Sequence, residues 1–471
     1  MMRIVVLLAV LLSGCAAVGP NFRKPAIHSP AQFRGAENSS QSSSLADLPW
    51  WEVFSDSTLK ALIQKALTNN YDLRVAISRI EQSRELAVAA HAQFLPVIGY
   101  SGAVSGGRNE FAGSAVQNGG SVRGAFATVA SASWEADIWG RVRRSNEAAL
   151  ATFLATEQAR RGIQLSVASD TAQAYFELLG LDMELGIARR TTASFAATLN
   201  LFQRQLEGGV ASRLDTSRAA AARSTASSQI PELERQIALK ENQISVLIGE
   251  NPGPVLNRSA LLDHTVPPEI PIGIPSELLE RRPDILGAAL QVKAANAQIG
   301  IAEGAFFPKI GLTTFLGGLS SPLLDIASGK VPAYSFAANL SGPIYAGGAL
   351  RAEKRRAIAL WQQSRLEYEQ AALNAFQDVS STLISRQKFD RIRTEQIQAV
   401  NSYQESVDVA LKRYTAGRAS YFDVLDAQQQ LFPAENALAY TEINRRVVMV
   451  QLYKVLGGGW NLSDSEWTNP K

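Results

Sequence analysis

The sequence predicts a mainly α-helical chain with a small membrane-β component, organised as a two-fold repeated unit. Each half supplies two strands and one long antiparallel coiled-coil helical hairpin, four β-barrel strands in all. Three observations predict this. Short motifs recur in the same order in both halves, two charge-poor blocks carry strand texture, and two proline-free stretches run far beyond an ordinary helix.

The repeat is read first. Phe94-Leu95-Pro96-Val97-Ile98-Gly99 recurs as Phe306-Phe307-Pro308-Lys309-Ile310-Gly311, and Asp72 upstream is matched by Asp284 at the same offset. Gly209-Val210-Ala211-Ser212-Arg213-Leu214-Asp215 recurs as Gly417-Arg418-Ala419-Ser420-Tyr421-Phe422-Asp423, and Leu247-Ile248-Gly249 as Val455-Leu456-Gly457. The chain therefore divides into a first repeat over 50–250, a proline-rich linker over 251–275, a second repeat over 276–460 and a tail over 461–471.

Each repeat opens on a helix, Asp72 to about Ala92 and Asp284 to about Glu303, rich in Ala, Leu, Ile and Gln and ending before Phe-x-Pro. The texture then changes. From Val97 to Ser133 the only charges are Arg108, Glu110 and Arg123, and from Ile310 to Ile344 only Asp325 and Lys330. Ile310, Leu312, Thr314 and Leu316, then Tyr334, Phe336, Ala338 and Leu340, alternate with the two-residue period of a strand. Each block, about 97–136 and about 309–345, fits two strands of ~10 residues around a Gly/Ser loop, as membrane β-hairpins require.

The long stretches Arg141 to Glu207 and Arg351 to Ala416 follow, both without proline. At 1.5 Å per residue such a helix reaches roughly 100 Å, against about 11 residues for an average helix. Phe376, Val379 and Leu383, then Ile397, Val400, Tyr403, Val407, Leu411 and Tyr414, lay a narrow coiled-coil seam. Gly209 and Gly417 end the stretches in the left-handed conformation glycine takes freely. Ser212 and Ser420 are placed to cap the returning helices, with Asp215 and Asp423 favouring their N-terminal amides.

No apolar run beyond the N-terminus approaches the ~20 residues of a membrane helix, so a spanning part must be built from strands. Four strands cannot close a barrel, which needs about eight, and an open edge in lipid leaves backbone amides unpaired. The chain must assemble with copies of itself.

Residues 1–14 read as a signal peptide: Met1, Met2 and Arg3, an apolar run from Ile4 to Leu12, then small residues. Leu12-Ser13-Gly14-Cys15 resembles a bacterial lipobox, which implies acylation of Cys15 and a lipid-anchored tether over 15–49. Ala16 after the cysteine implies an outer-membrane destination. Cys15 is the only cysteine, so no internal disulfide is expected.

Lys plus Arg (46) nearly balance Asp plus Glu (43), and the charges are spread, so no nucleic-acid partner is expected. His28, His91 and His264 are scattered without metal-ligand spacing, and no zinc, phosphate-loop or nucleophile-elbow motif is present. Neither metal, cofactor nor enzymatic activity is expected. The charge-poor strand blocks also argue against two other classes, a periplasmic coiled-coil adaptor and a lipid-anchored periplasmic enzyme.

The lipobox, Trp50-Trp51, the two Phe-x-Pro entries, the Gly-x-Ala-Ser-x-x-Asp turns and Leu456-Gly457-Gly458-Gly459-Trp460 together resemble the TolC family, and more closely its OprM/NodT-type lipoprotein branch. The resemblance covers nearly all of the mature chain. It implies a homotrimer forming a twelve-stranded barrel on an α-helical periplasmic tunnel, anchored in outer-membrane lipid and joined to a periplasmic adaptor and an inner-membrane efflux pump. It implies passive conduction of small molecules, with metal efflux or type I protein secretion as alternatives. In that branch Tyr421 to Gln429 aligns with the tunnel constriction, so Asp426 matches an acidic ring and Phe422 an apolar gate residue. Three carboxylates in a narrow pore attract cations. The sequence departs from the pattern at Gln429, where an arginine partner is expected. The turns around Gly209, Ser212 and Asp215, and around Gly417, Ser420 and Asp423, are by resemblance the adaptor-docking points.

Overall fold

The computed structural model describes residues 17–36, 44–54, 56–107, 123–264, 266, 271–320, 325–326, 328–329 and 332–468. The signal segment 1–14, Cys15 and residues 37–43 of the tether lie outside the described residues.

In chain order the elements are α1 (Trp50–Val53), α2 (Ser57–Asn69), α3 (Tyr71–Ala92), β1 (Val97–Gly107), β2 (Arg123–Ala136), α4 (Arg141–Glu207) and α5 (Arg213–Leu247). After the linker come α6 (Leu278–Arg281), α7 (Pro283–Gly304), β3 (Lys309–Ser320), β4 (Pro332–Ser341), α8 (Ala349–Thr415), α9 (Tyr421–Val455) and α10 (Asp464–Thr468). The two series match in length: α3 and α7 have 22 residues each, α4 and α8 67, and α5 and α9 35. β4 stops at Ser341, short of the block end expected near 345, because Pro343 brings no N–H to a ladder.

The chain forms two compact units. The first comprises Met1–Ala26, Arg79–Glu157 and Gly287–Glu369. It holds one antiparallel sheet in the order β1-β2-β3-β4. Val97 pairs with Ser133, Ala136 with Ile310 and Lys309 with Ser341, so strands from the two sequence blocks join at β2–β3. Among the described residues the outer flanks of β1 and β4 have no partner.

Opposed residues in antiparallel strands share a face, and the register separates two faces of different character. Ile98 and Tyr100 on β1, Ala130 and Ala132 on β2, Leu312 and Leu316 on β3, and Tyr334, Phe336 and Leu340 on β4 all lie on one side. This face is apolar and bare: Tyr100 is 93% exposed and Tyr334 81%. Small and polar residues predominate on the other, among them Ser101, Ser131, Ser133, Thr313, Ser335 and Asn339, with Val97, Val129 and Phe315 interspersed. Aromatic residues gather where the helices leave the sheet. There the Trp134 indole N–H donates to Phe94 O, the Trp139 indole N–H donates to Pro308 O, and Trp139 stacks on Phe307 at 4.6 Å.

The second unit comprises Ile27–Ser78, Gln158–Leu286 and Gln370–Lys471. Its core packs Trp50, Leu59 and Ile63 against Tyr175, Leu178 and Leu179 of α4, Ile244 of α5, Phe376, Val379 and Leu383 of α8, and Val450, Leu452 and Tyr453 of α9. The seam expected on α8 is thus buried at Phe376, Val379 and Leu383. Farther along, Val407 is also buried, whereas Leu411 is 41% exposed and stands outside the seam. The linker is tied in by an antiparallel bridge between Ser44 and Ile272.

Candidate functional site

Both helix-hairpin turns form as the sequence dictates. After α4, Gly209 adopts φ +74° and Val210 N–H donates to Gln205 O at 2.8 Å. After α8, Gly417 adopts φ +70° and Arg418 N–H donates to Arg413 O at 2.8 Å. These bonds occupy carbonyls that the helix ends leave free. Ser212 Oγ accepts from Asp215 N–H at 3.2 Å while the Asp215 carboxylate accepts from Ser212 N–H, a reciprocal cap for α5. On α9 the Asp423 carboxylate accepts from Ser420 N–H at 2.9 Å. Asp215 and Asp423 therefore have structural partners within their own turns.

Beside these turns lies a separate apolar cluster. Phe195, Leu199 and Phe202 of α4 and Ala219 and Ala226 of α5 pack on Tyr421, Val424 and Leu425 of α9. The Tyr421 ring sits 4.0 Å from that of Phe202. Burial, with Asp215 and Tyr414 nearby, pushes the Tyr421 hydroxyl up to about 12. Tyr414 OH donates to Gln205 Oε1 at 2.5 Å, and Gln428 Nε2 donates to Ser194 Oγ at 3.0 Å and Thr198 Oγ1 at 3.3 Å.

This packing fixes the rotation of α9. With Tyr421, Val424, Leu425 and Gln428 turned inward, Phe422, Asp426 and Gln429 fall at i, i+4 and i+7 on one exposed face, Phe422 at 62%. The three sequence-predicted gate residues are thus brought together, and the turn glycines stand at the helix ends. Tyr414 belongs to the apolar seam expected on α8; what the sequence reading missed is the rest of the inward set, Phe202, Tyr421 and Gln428. Their signal was present in the aromatic residues flanking both glycine turns.

One polar group in the second unit has the membership of a catalytic triad but not its wiring. Ser259 Oγ lies 2.7 Å from Asp56 Oδ2, 2.8 Å from His264 Nε2 and 3.3 Å from Tyr175 OH. An ionised carboxylate only accepts, so the serine proton points to Asp56, and Ser259 must accept from the imidazole N–H and the tyrosine O–H. The imidazole therefore offers no lone pair to the serine, and Asp56 and Ser259 face the same ring nitrogen. A histidine base for the serine proton is missing from this arrangement. Burial pulls the His264 imidazole below its ordinary range despite Asp56. Among the described residues no cluster of three or more His, Cys, Asp or Glu is placed to hold a metal ion.

Two segments, residues 62–250 and 274–458, match the family model described as outer membrane efflux protein. The chain belongs to the outer membrane efflux protein family. As a member of this transport family it serves efflux at the outer membrane, as the resemblance to TolC-type channels implied. It is 34% identical over 458 residues to the antibiotic efflux pump outer membrane protein ArpC of Pseudomonas putida, covering 96% of this chain and 94% of that protein. The cation efflux system protein CusC of Escherichia coli O6:H1 is 31% identical over 458 residues, with 96% and 97% covered. Of solved structures, that of the outer-membrane channel OprN has a TM-score of 0.88 at 27% identity, over 94% of this chain and 100% of that one.

Proposed function

We propose that three copies of this chain close a twelve-stranded barrel in the outer membrane and form the passive exit duct of a tripartite efflux system for small molecules. Cys15 carries the lipid anchor, and the helical hairpins build a periplasmic tunnel that meets an adaptor and an inner-membrane pump. The observation that carries this reading is the four-stranded sheet with one bare apolar face and two unpaired flanks. In lipid the apolar face is at home and the flanks are not, so β4 of one copy pairs with β1 of the next until the ring closes. The opposite face, richer in small and polar residues, then lines a lumen.

The exposed stripe of Phe422, Asp426 and Gln429 turns to the axis of the assembly and narrows the duct. With glutamine at 429, the constriction relies on apolar contact at Phe422 instead of a salt bridge, and the Asp426 carboxylates give it a preference for cations. The turns at Gly209 and Gly417, with Ser212, Asp215, Ser420 and Asp423, offer the docking points for the adaptor.

Small-molecule cargo is supported by the likeness to ArpC; the likeness to CusC makes metal ions the alternative. Intracellular accumulation of unrelated dyes and antibiotics, in cells lacking the gene and in cells with it restored, tests the reading. Accumulation that rises and is reversed supports it. A flat response, with sensitivity to added metal cations changed instead, replaces small organic molecules by metal. Asp426→Ala should raise single-channel conductance in planar bilayers; unchanged conductance returns Asp426 to an ordinary solvated helix face.

A further inference from the structure

The segment that follows Cys15 is not a loose tether. Val18 N–H donates to Trp139 O at 3.0 Å. The guanidinium of Arg144, only 4% exposed, donates from Nε to Val18 O at 3.2 Å, and from Nη2 to Gly19 O at 3.1 Å and Asn21 Oδ1 at 2.8 Å. Its Nη1 pairs with Glu147 at 2.8 Å. Asn296, 5% exposed, donates from Nδ2 to Pro20 O at 2.8 Å. Three successive carbonyls, those of Val18, Gly19 and Pro20, are thus taken by two buried side chains. Charge-assisted bonds of this kind are the stronger class, and a rigid guanidinium fork gives them direction.

The seat is also cut to shape. Gly19 has φ +89°, and a Cβ there would stand 2.5 Å from Gly300 Cα. A Cβ on Gly300 would meet Arg144 Cγ at 2.7 Å, and one on Gly140 would strike Ala17 Cβ at 2.3 Å. Glycine is therefore required under the strap, under the arginine and beside Ala17. All of these residues belong to the unit that holds the sheet, and Trp139 stands at its aromatic, helix-bearing end. In membrane β-proteins such aromatic residues mark the lipid–water interface.

We propose that Arg144 and Asn296 clamp Ala17–Asn21 to this end of the sheet and so set the depth at which the acylated Cys15 enters the outer membrane. The inference rests on the lipid-anchor reading above. Covalent geometry holds the cysteine within roughly 7 Å of Ala17. An acyl chain on a free tether contributes membrane affinity alone, whereas one on a clamped strap also fixes the sheet against the bilayer. Arg144 is a positioning residue: it acts on the anchor through the strap and contacts neither lipid nor cargo.

The test uses the full-length chain expressed in outer membranes, with palmitate incorporation and the yield of heat-sensitive oligomer as readouts. Cys15→Ser and Arg144→Leu should each lower the oligomer yield, and the double variant should be no worse than the more severe single, because both cut one coupling. Asn296→Leu, which removes one bond, should give a smaller loss that likewise disappears in the Cys15→Ser background. Arg144→Leu should retain its palmitate. A double variant whose loss is the product of the two single losses overturns the clamp, since independent structural roles multiply. Absence of palmitate from the parent chain refutes the anchor reading itself, a result distinct from palmitate present with multiplicative losses.

Discussion

Replacing Glu442 by leucine tests the most deeply buried charge network in the helical unit. Glu442 is 3% exposed and pairs with Arg393, with Arg446 Nη1 at 2.8 Å and with Arg445 Nη1 at 3.3 Å. Arg446, 5% exposed, turns its Nη2 to His264 O at 2.6 Å. Burial opposes the charge on Glu442, but bonds from Arg393 and Arg446 outweigh it and hold the carboxyl below the usual glutamate range. Removing the carboxylate leaves Arg446 buried without its counter-ion, which should cost about 3–5 kcal/mol. Arg446→Met should cost less, about 1–3 kcal/mol, because Glu442 keeps Arg393 and Arg445. The double variant, apolar at both positions, should recover much of the loss. Guanidinium unfolding of the detergent-solubilised protein, followed by far-UV circular dichroism, measures all three. The reasoning fails if Glu442→Leu costs under about 1 kcal/mol or if the double variant equals the sum of the singles. The pH dependence has a definite sign. The folded-state pKa lies below the unfolded value, so this stabilisation is complete above about pH 4.3 and is lost as the pH falls through the folded-state pKa. The gap between parent and Glu442→Leu should therefore narrow in acid.

Two other outcomes follow from named contacts. A Cβ on Gly317 would lie 2.0 Å from Thr128 O and 2.8 Å from Val129 Cα, both backbone, so Gly317→Ala should prise β2 from β3; loss of heat-sensitive oligomer with unchanged helical unfolding supports this, and normal oligomer refutes it. His264 has its folded-state pKa pulled down by burial, so stability is full above its unfolded pKa of about 6.5 and falls as acid forces a proton onto the ring. His264→Gln should flatten the midpoint of unfolding between about pH 5 and 7, and an unaltered slope would show that the histidine does not carry it.

Much of the fold was legible because its signals are local. Glycine at 209 and 417, Ser-x-x-Asp after each, and long proline-free stretches fix where helices stop and restart, and the structure ends α4 at Glu207 and opens α5 at Arg213. Two-residue alternation likewise placed Leu312 and Leu316 with Tyr334 and Phe336 on one face. What stayed hidden is long-range. Nothing in the sequence around Ala136 says that it will oppose Ile310, since register across blocks depends on tertiary placement. Nothing in the sequence sets Arg144, Glu442 and Arg446 apart from the other charges of their helices, and only packing reveals them as buried partners. At the start of α9, Tyr421 and Phe422 are neighbouring aromatics, and the choice of which turns inward is made by Phe202 on another helix.

The seam between β2 and β3 also dictates an order of events during secretion. Everything from the end of β2 to the start of β3, α4 and α5 included, must cross the inner membrane before the two strands meet. A half-delivered chain holds β1 and β2 as a lone hairpin, and an isolated pair of strands is marginal in water. Closing so long a loop is slow, whereas helices form from neighbours in sequence within microseconds. The helical hairpins are thus complete while the strands are still unmated, with apolar side chains and bare edges facing the aqueous periplasm. That interval, set by topology and not by any single residue, is when the chain is most open to aggregation and to proteolysis.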